Sequence, residues 1–122
     1  MSKFILFLHE NPSVFADMSP EEMQRIIGVY RSWKESLIAK GKLFEPSRKL
    51  KDEGGKRLSR RNERLVVADG PYTEAKDVLA GLFVIEAATY EEAVNIATGC
   101  PHLQYGEIEI REVDEGLATA TR

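Results

Sequence analysis

Two stretches of the chain are apolar without alternation. Phe4-Ile5-Leu6-Phe7-Leu8 runs unbroken up to His9, and Gly81 to Ala87 reads GLFVIEA. A strand with one face in water alternates apolar and polar positions, so both stretches are expected to be strands covered on two faces. Helices cover one of those faces; in so short a chain, a second subunit is expected on the other. The side-chain period of two puts His9 on the side of Ile5 and Phe7. Tyr105 to Val113 differs, because Ile108 and Ile110 alternate with Glu107, Glu109 and Arg111. That pattern predicts a last strand with one face in water.

Helical spacing appears twice. Glu10 to Met18 reads as a loop; then Ser19-Pro20-Glu21-Glu22 supplies a cap, a proline at the first helical position and a capping-box glutamate. Met23, Ile26, Ile27, Tyr30, Trp33, Leu37 and Ile38 then form one stripe, with Gly41 as the stop. Such a stripe is core packing far more often than a cofactor box. Thr89 and Glu92 form a second capping box, before a helix with Ala93, Val94 and Ala97 on its inner face and Gly99 at its end.

The region from Lys42 to Ala68 is the least regular. Leu43-Phe44 opens a strand that Pro46 confines to an edge or a bend. Asp52-Glu53-Gly54-Gly55 is expected to be a hairpin turn, with Lys56 to Ser59 running back and Leu65 to Ala68 continuing into Asp69. Thr73 is then expected to cap a short helical turn, TEAKDVLA, closed by Gly81. The order strand, helix, bent hairpin, strand, helix, strand predicts an α+β fold. It is a ferredoxin-like split βαβ, with an antiparallel sheet and both helices on one face. One domain is expected over residues 1–113, with a polar tail at 114–122.

Composition narrows the function classes. With 17 Lys and Arg against 20 Asp and Glu, the net charge of −3 gives no general bias toward nucleic acid. Residues 48–64 hold eight Lys and Arg, but without interleaved aromatics they read as a solvated hairpin rather than a nucleic-acid surface. No apolar run approaches a membrane span, and FILFLH is too short for a secretion signal. Cys100 is the only cysteine, which suits a cytoplasmic protein without a disulfide.

The most informative stretch is Val66 to Gly81, VVADGPYTEAKDVLAG. Asp69-Gly70-Pro71 forms a sharp turn at the end of an apolar strand, and a carboxylate there either braces the backbone or serves as an acid/base group. Asp69-Gly70-Pro71-Tyr72, followed by Glu74, Lys76 and GLFVIEA, resembles the YCII-related family in its DGPF-domain branch. Tyr72 stands where that branch usually has Phe. The resemblance runs from about Phe4 to Val113 and includes CPHLQYG. It implies a dimeric α/β barrel, in which the sheets of two subunits pack together, and a His–Asp pair as in YCII-like relatives.

His9 and Asp69 are therefore the expected catalytic pair, since a carboxylate near an imidazole orients it and favours its protonated form. Pro71, Tyr72 and His102 are the expected substrate contacts. Cys100 with His102 invites a nucleophilic reading, but a Cys before Pro at a helix end is commonly just packed. His9, His102 and Asp69 lack the close spacing of zinc motifs, and Gly54-Gly55 lacks the Lys and Ser or Thr of a phosphate loop. No metal and no cofactor are expected. The expectation is a homodimer taking a small-molecule ligand. Two functions stay open. One is a cofactor-independent acid/base enzyme acting on a small organic acid or lactone by proton transfer, isomerisation or elimination. The other is a non-catalytic binding or regulatory accessory module.

Overall fold

The computed structural model describes residues 1–70 and 77–116, the side chain of Pro46 excepted. Its strands and helices run β1 (Ser2–Glu10), α1 (Pro20–Ala39), β2 (Leu43–Lys49), β3 (Lys56–Arg61), β4 (Arg64–Asp69), β5 (Val78–Ala87), α2 (Tyr90–Thr98) and β6 (Gly106–Glu112). Single 3₁₀ turns at Pro12–Phe15 and Pro101–Gln104 precede α1 and β6. The four long-range strands form one sheet in the order β2-β5-β1-β6, with every neighbouring pair antiparallel. This is the ferredoxin-like α+β plan, and the sheet stays open within a single chain.

The helix ends follow their local chemistry. Ser19 accepts from the Glu22 amide at 3.1 Å to start α1, and Thr89 does the same for Glu92 to start α2. At the end of α1, Gly41 takes φ +68, the Gly41 amide bonds to Ile38 and the Lys42 amide bonds to Leu37. That double bond pattern turns the chain out of the helix and into β2. Phe4, Leu6 and Leu8 of β1, Phe83 and Ile85 of β5, Leu37 of α1, and Ala93 and Ala97 of α2 make the core. Both helices therefore cover the same face of the sheet. On the opposite face, Ile5, Phe7 and His9 are half-buried, so the unbroken apolar run of β1 alternates in burial within one chain. On α1, Ile27 and Ile38 lie at the edge of the expected stripe and are exposed.

Two local expectations are corrected. The expected hairpin at Asp52–Gly55 does not join β2 to β3; β3 pairs instead with β4 in a separate two-stranded ribbon. Its turn is Asn62-Glu63, both at positive φ, the geometry that matches the twist of a tight hairpin. Within the expected helical turn TEAKDVLA, Val78, Leu79 and Ala80 already belong to β5, because their pairing with β1 and β2 outweighs local helical preference. Residues 73–76 of that turn, Thr73 and Glu74 among them, lie outside the described residues.

Candidate functional site

A cavity of about 470 Å3 opens between α1 and the β1, β5 and β2 strands. Leu8 and Phe83 come from the sheet, Phe15 from the first 3₁₀ turn, and Met23, Ile26 and Ile27 from α1. These make its wall mostly apolar, as small-molecule sites usually are. Gly81 lets β2 close the wall: a Cβ there would stand 2.6 Å from the Arg48 carbonyl oxygen. Arg31 and Lys34 from α1, with Arg48 and Lys49 from β2, add positive charge to the lining.

Two carboxyls line this chamber, those of Glu10 and Asp52, and of the two only Glu10 is buried. Glu10 continues the inward series Phe4, Leu6, Leu8 on β1, and only 4% of it is exposed. Burial pushes its pKa above the ordinary 4.5; Lys49 pulls it down and Asp52 adds to the rise. Its Oε1 stands 4.0 Å from Nδ1 of His102.

His102 is fixed at both ring nitrogens. Nε2 lies 2.8 Å from the backbone carbonyl oxygen of His9. A carbonyl can only accept, so Nε2 carries the hydrogen and Nδ1 is the acceptor. The Tyr30 hydroxyl donates to that Nδ1 at 2.9 Å. Burial lowers the His102 pKa, with the His9 carbonyl bond working the other way, and so favours the neutral ring. Burial likewise pushes the Tyr30 hydroxyl up and keeps it a donor. Gly106 makes room for this arrangement, since a Cβ there would overlap the His9 carbonyl oxygen and stand 2.9 Å from His102 Nε2.

The residues expected to carry chemistry are distributed as follows. His9 sits on the open sheet face, with Nε2 3.2 Å from Glu109. Asp69 ends β4 on the ribbon, where its exposed carboxylate pairs with Lys56. Within one chain these two side chains thus have different partners. His102 lies on the helix side of the sheet, 1% exposed, and reaches His9 only through the backbone. Pro71 and Tyr72 lie outside the described residues. Cys100 is buried, and burial pushes its thiol up to about 11, so it is a poor nucleophile at neutral pH. Among the described residues, no three His, Cys, Asp or Glu side chains gather to hold a metal.

Glu10 lies one residue past His9, where the apolar pattern ends the expected strand, and so falls outside the expected site. The signal was present: two positions beyond Leu8, the same alternation points inward. The helical stripe makes Tyr30 a core residue, as its partial burial supports, but its hydroxyl also holds His102.

The YCII-related domain profile matches residues 3–115, and the chain belongs to that family. It is similar to an uncharacterised protein of Rhizobium meliloti (strain 1021), 26% identical over 94 residues covering 77% of this chain and 76% of that one. No described helix is long and apolar enough to cross a membrane.

Proposed function

We propose that the protein is a cofactor-independent acid/base enzyme acting on a small organic acid or lactone held in the cavity between α1 and the sheet. The observation that carries this reading is Glu10, a buried carboxyl on the wall of an apolar chamber. A carboxyl whose pKa burial raises holds its proton more tightly than an exposed one and can exchange it with a carbon or oxygen acid placed against it, the requirement for isomerisation or elimination. His102 is a positioning residue in this scheme: its neutral ring, locked by Tyr30 and the His9 carbonyl, fixes the wall beside Glu10.

The Asp69-Gly70-Pro71-Tyr72 sequence supports placement in the DGPF branch. The reading also includes a homodimer joined through the open sheet face, supported by half-buried Ile5 and Phe7 there and by exposed Leu58, Leu65 and Val67 on the ribbon. In that dimer, the reading pairs Asp69 of one subunit with His9 of the other and keeps Pro71 and Tyr72 as proposed substrate contacts. Light scattering at micromolar concentration tests the assembly; a stable monomer removes the His9–Asp69 pair from the scheme.

The second reading, a non-catalytic binding module, is favoured by the saturation of both His102 ring nitrogens by structural bonds. A thermal-shift screen of small acids and lactones, followed by turnover assays of the stabilising compounds, separates the two. The enzyme reading expects turnover that Glu10→Gln abolishes while binding persists. Stabilisation by a ligand with no turnover in the wild type leaves the binding module.

A further inference from the structure

Resting on the assignment of the cavity as the ligand chamber, we propose that its ligand is an apolar monocarboxylate, not a neutral lactone, with the carboxylate held by Arg31, Lys34 and Arg48. The argument starts from charge. The chain carries more acidic than basic residues, 20 against 17. Some of its cations are neutralised locally: Lys3 pairs with Glu115, Lys42 with Glu92, and Lys56 with Asp69. Lys49, on the cavity wall, is likewise matched by Asp52 at 3.1 Å.

Arg31, Lys34 and Arg48 line the same cavity and behave differently. Among the described residues, no carboxylate comes within the 4.0 Å of an ion pair with any of them. Arg48 reaches only the carbonyl oxygen of Ser47, at 3.3 Å. Three uncompensated cations around one chamber of an acidic protein form a local positive field, which a ligand carboxylate neutralises. A guanidinium also matches a carboxylate with two parallel hydrogen bonds.

The remainder of the chamber sets the rest of the ligand. Phe15, Met23, Ile26, Ile27 and Phe83 offer no polar side-chain atom, so the body of the ligand is hydrocarbon. Glu10 and Asp52 are the acidic groups of the lining. A second ligand carboxylate directed toward them meets like charge or forces Glu10 to remain protonated, so a dicarboxylate is disfavoured. Glu10 in its protonated form instead offers one hydrogen-bond donor to a carbonyl or hydroxyl partway along the chain.

The test is calorimetric titration of the full chain at low salt with hexanoate, octanoate and phenylacetate. Octanamide and γ-octalactone serve as neutral controls and octanedioate as the dianion. The expected result is saturable binding of the monocarboxylates, roughly tenfold or more tighter than octanamide. That preference is expected to collapse in an Arg31→Gln/Arg48→Gln double variant, and affinity to fall with added salt. Octanamide or the lactone binding as tightly as octanoate overturns the inference, as does octanoate affinity unchanged in the double variant. An absence of binding by every monocarboxylate at millimolar concentration overturns it too. The catalytic reading fails separately: monocarboxylates that bind in this way but show no proton exchange with solvent at their α-carbon, and no turnover, leave the ligand class standing and remove the enzyme.

Discussion

The hydroxyl of Tyr30, in the middle of α1, donates to Nδ1 of His102 across 2.9 Å and ties the helix to the 3₁₀ turn before β6. The ring passes the tie on to the His9 carbonyl at the end of β1. Three elements distant in sequence are thereby joined through one neutral imidazole at the floor of the sheet, next to the only inward carboxyl of β1. Tyr30→Phe keeps the ring volume and removes the donor. The buried Nδ1 then lacks its partner, which costs about 1–3 kcal/mol. Urea denaturation is expected to show that loss with an unchanged slope; a variant as stable as the wild type places no energetic weight on the bond.

Glu10 sets a pH dependence of opposite sign to that of His102. The folded state holds the Glu10 proton more tightly than the unfolded chain, whose glutamate titrates near 4.5. Its stabilisation is therefore complete below pH 4.5 and is lost as pH rises through the higher folded value. For His102 the folded pKa is lowered from 6.5, so its stabilisation is complete above pH 6.5 and is lost as pH falls through the folded value. In Glu10→Gln the first dependence disappears. Denaturation midpoints across pH 4 to 8 are expected to show the variant gaining on the wild type with rising pH. An unchanged difference across that range means that Glu10 is not the buried acid described above.

Gly106→Ala tests the close approach of β6 to the end of β1. The added Cβ overlaps the His9 carbonyl oxygen and crowds His102 Nε2, so the strand must shift and the carbonyl–imidazole bond must lengthen. Overpacking of this kind costs about 1–3 kcal/mol. Thermal unfolding measures the loss, and the His102 ring resonances in NMR report the broken bond. Gly28, whose Cβ would meet nothing within 4 Å, is the control, and Gly28→Ala in the helix interior is expected to stabilise slightly.

Asp69→Asn is expected to leave stability within about 0.5 kcal/mol of the wild type, because its partner Lys56 is as solvent-exposed as an ordinary surface pair. If the His9–Asp69 pair forms across a dimer, the same substitution reduces turnover while melting temperature holds. A large drop in melting temperature gives Asp69 a structural role in the ribbon instead.

Much of the architecture followed from side-chain periodicity. The unbroken apolar runs of β1 and β5, the alternation of β6 and the capping residues Ser19 and Thr89 specify element type through short-range sterics and hydrogen bonding. The strand pairing then follows the few connections open to a βαββαβ chain. The ribbon was less legible. Asn62-Glu63 lacks the glycine that marks a tight hairpin, whereas Asp52-Glu53-Gly54-Gly55 advertises a turn that joins no paired strands.

The candidate site divides the same way. Residue type and position marked His102 as a group with possible chemistry, and alternation along β1 placed His9 on the face of Ile5 and Phe7. The sequence by itself determined the elements, their order and which face each strand residue takes, because these depend on neighbours a few residues apart. Only the tertiary structure decided that Glu10 closes a chamber with Met23, Ile26 and Tyr30, that His102 is saturated by Tyr30 and the His9 carbonyl, and that Asp69 meets Lys56. Those relations join residues up to 93 positions apart, and they depend on how the helix packs on the sheet and how closely β6 and β2 approach their neighbours at Gly106 and Gly81.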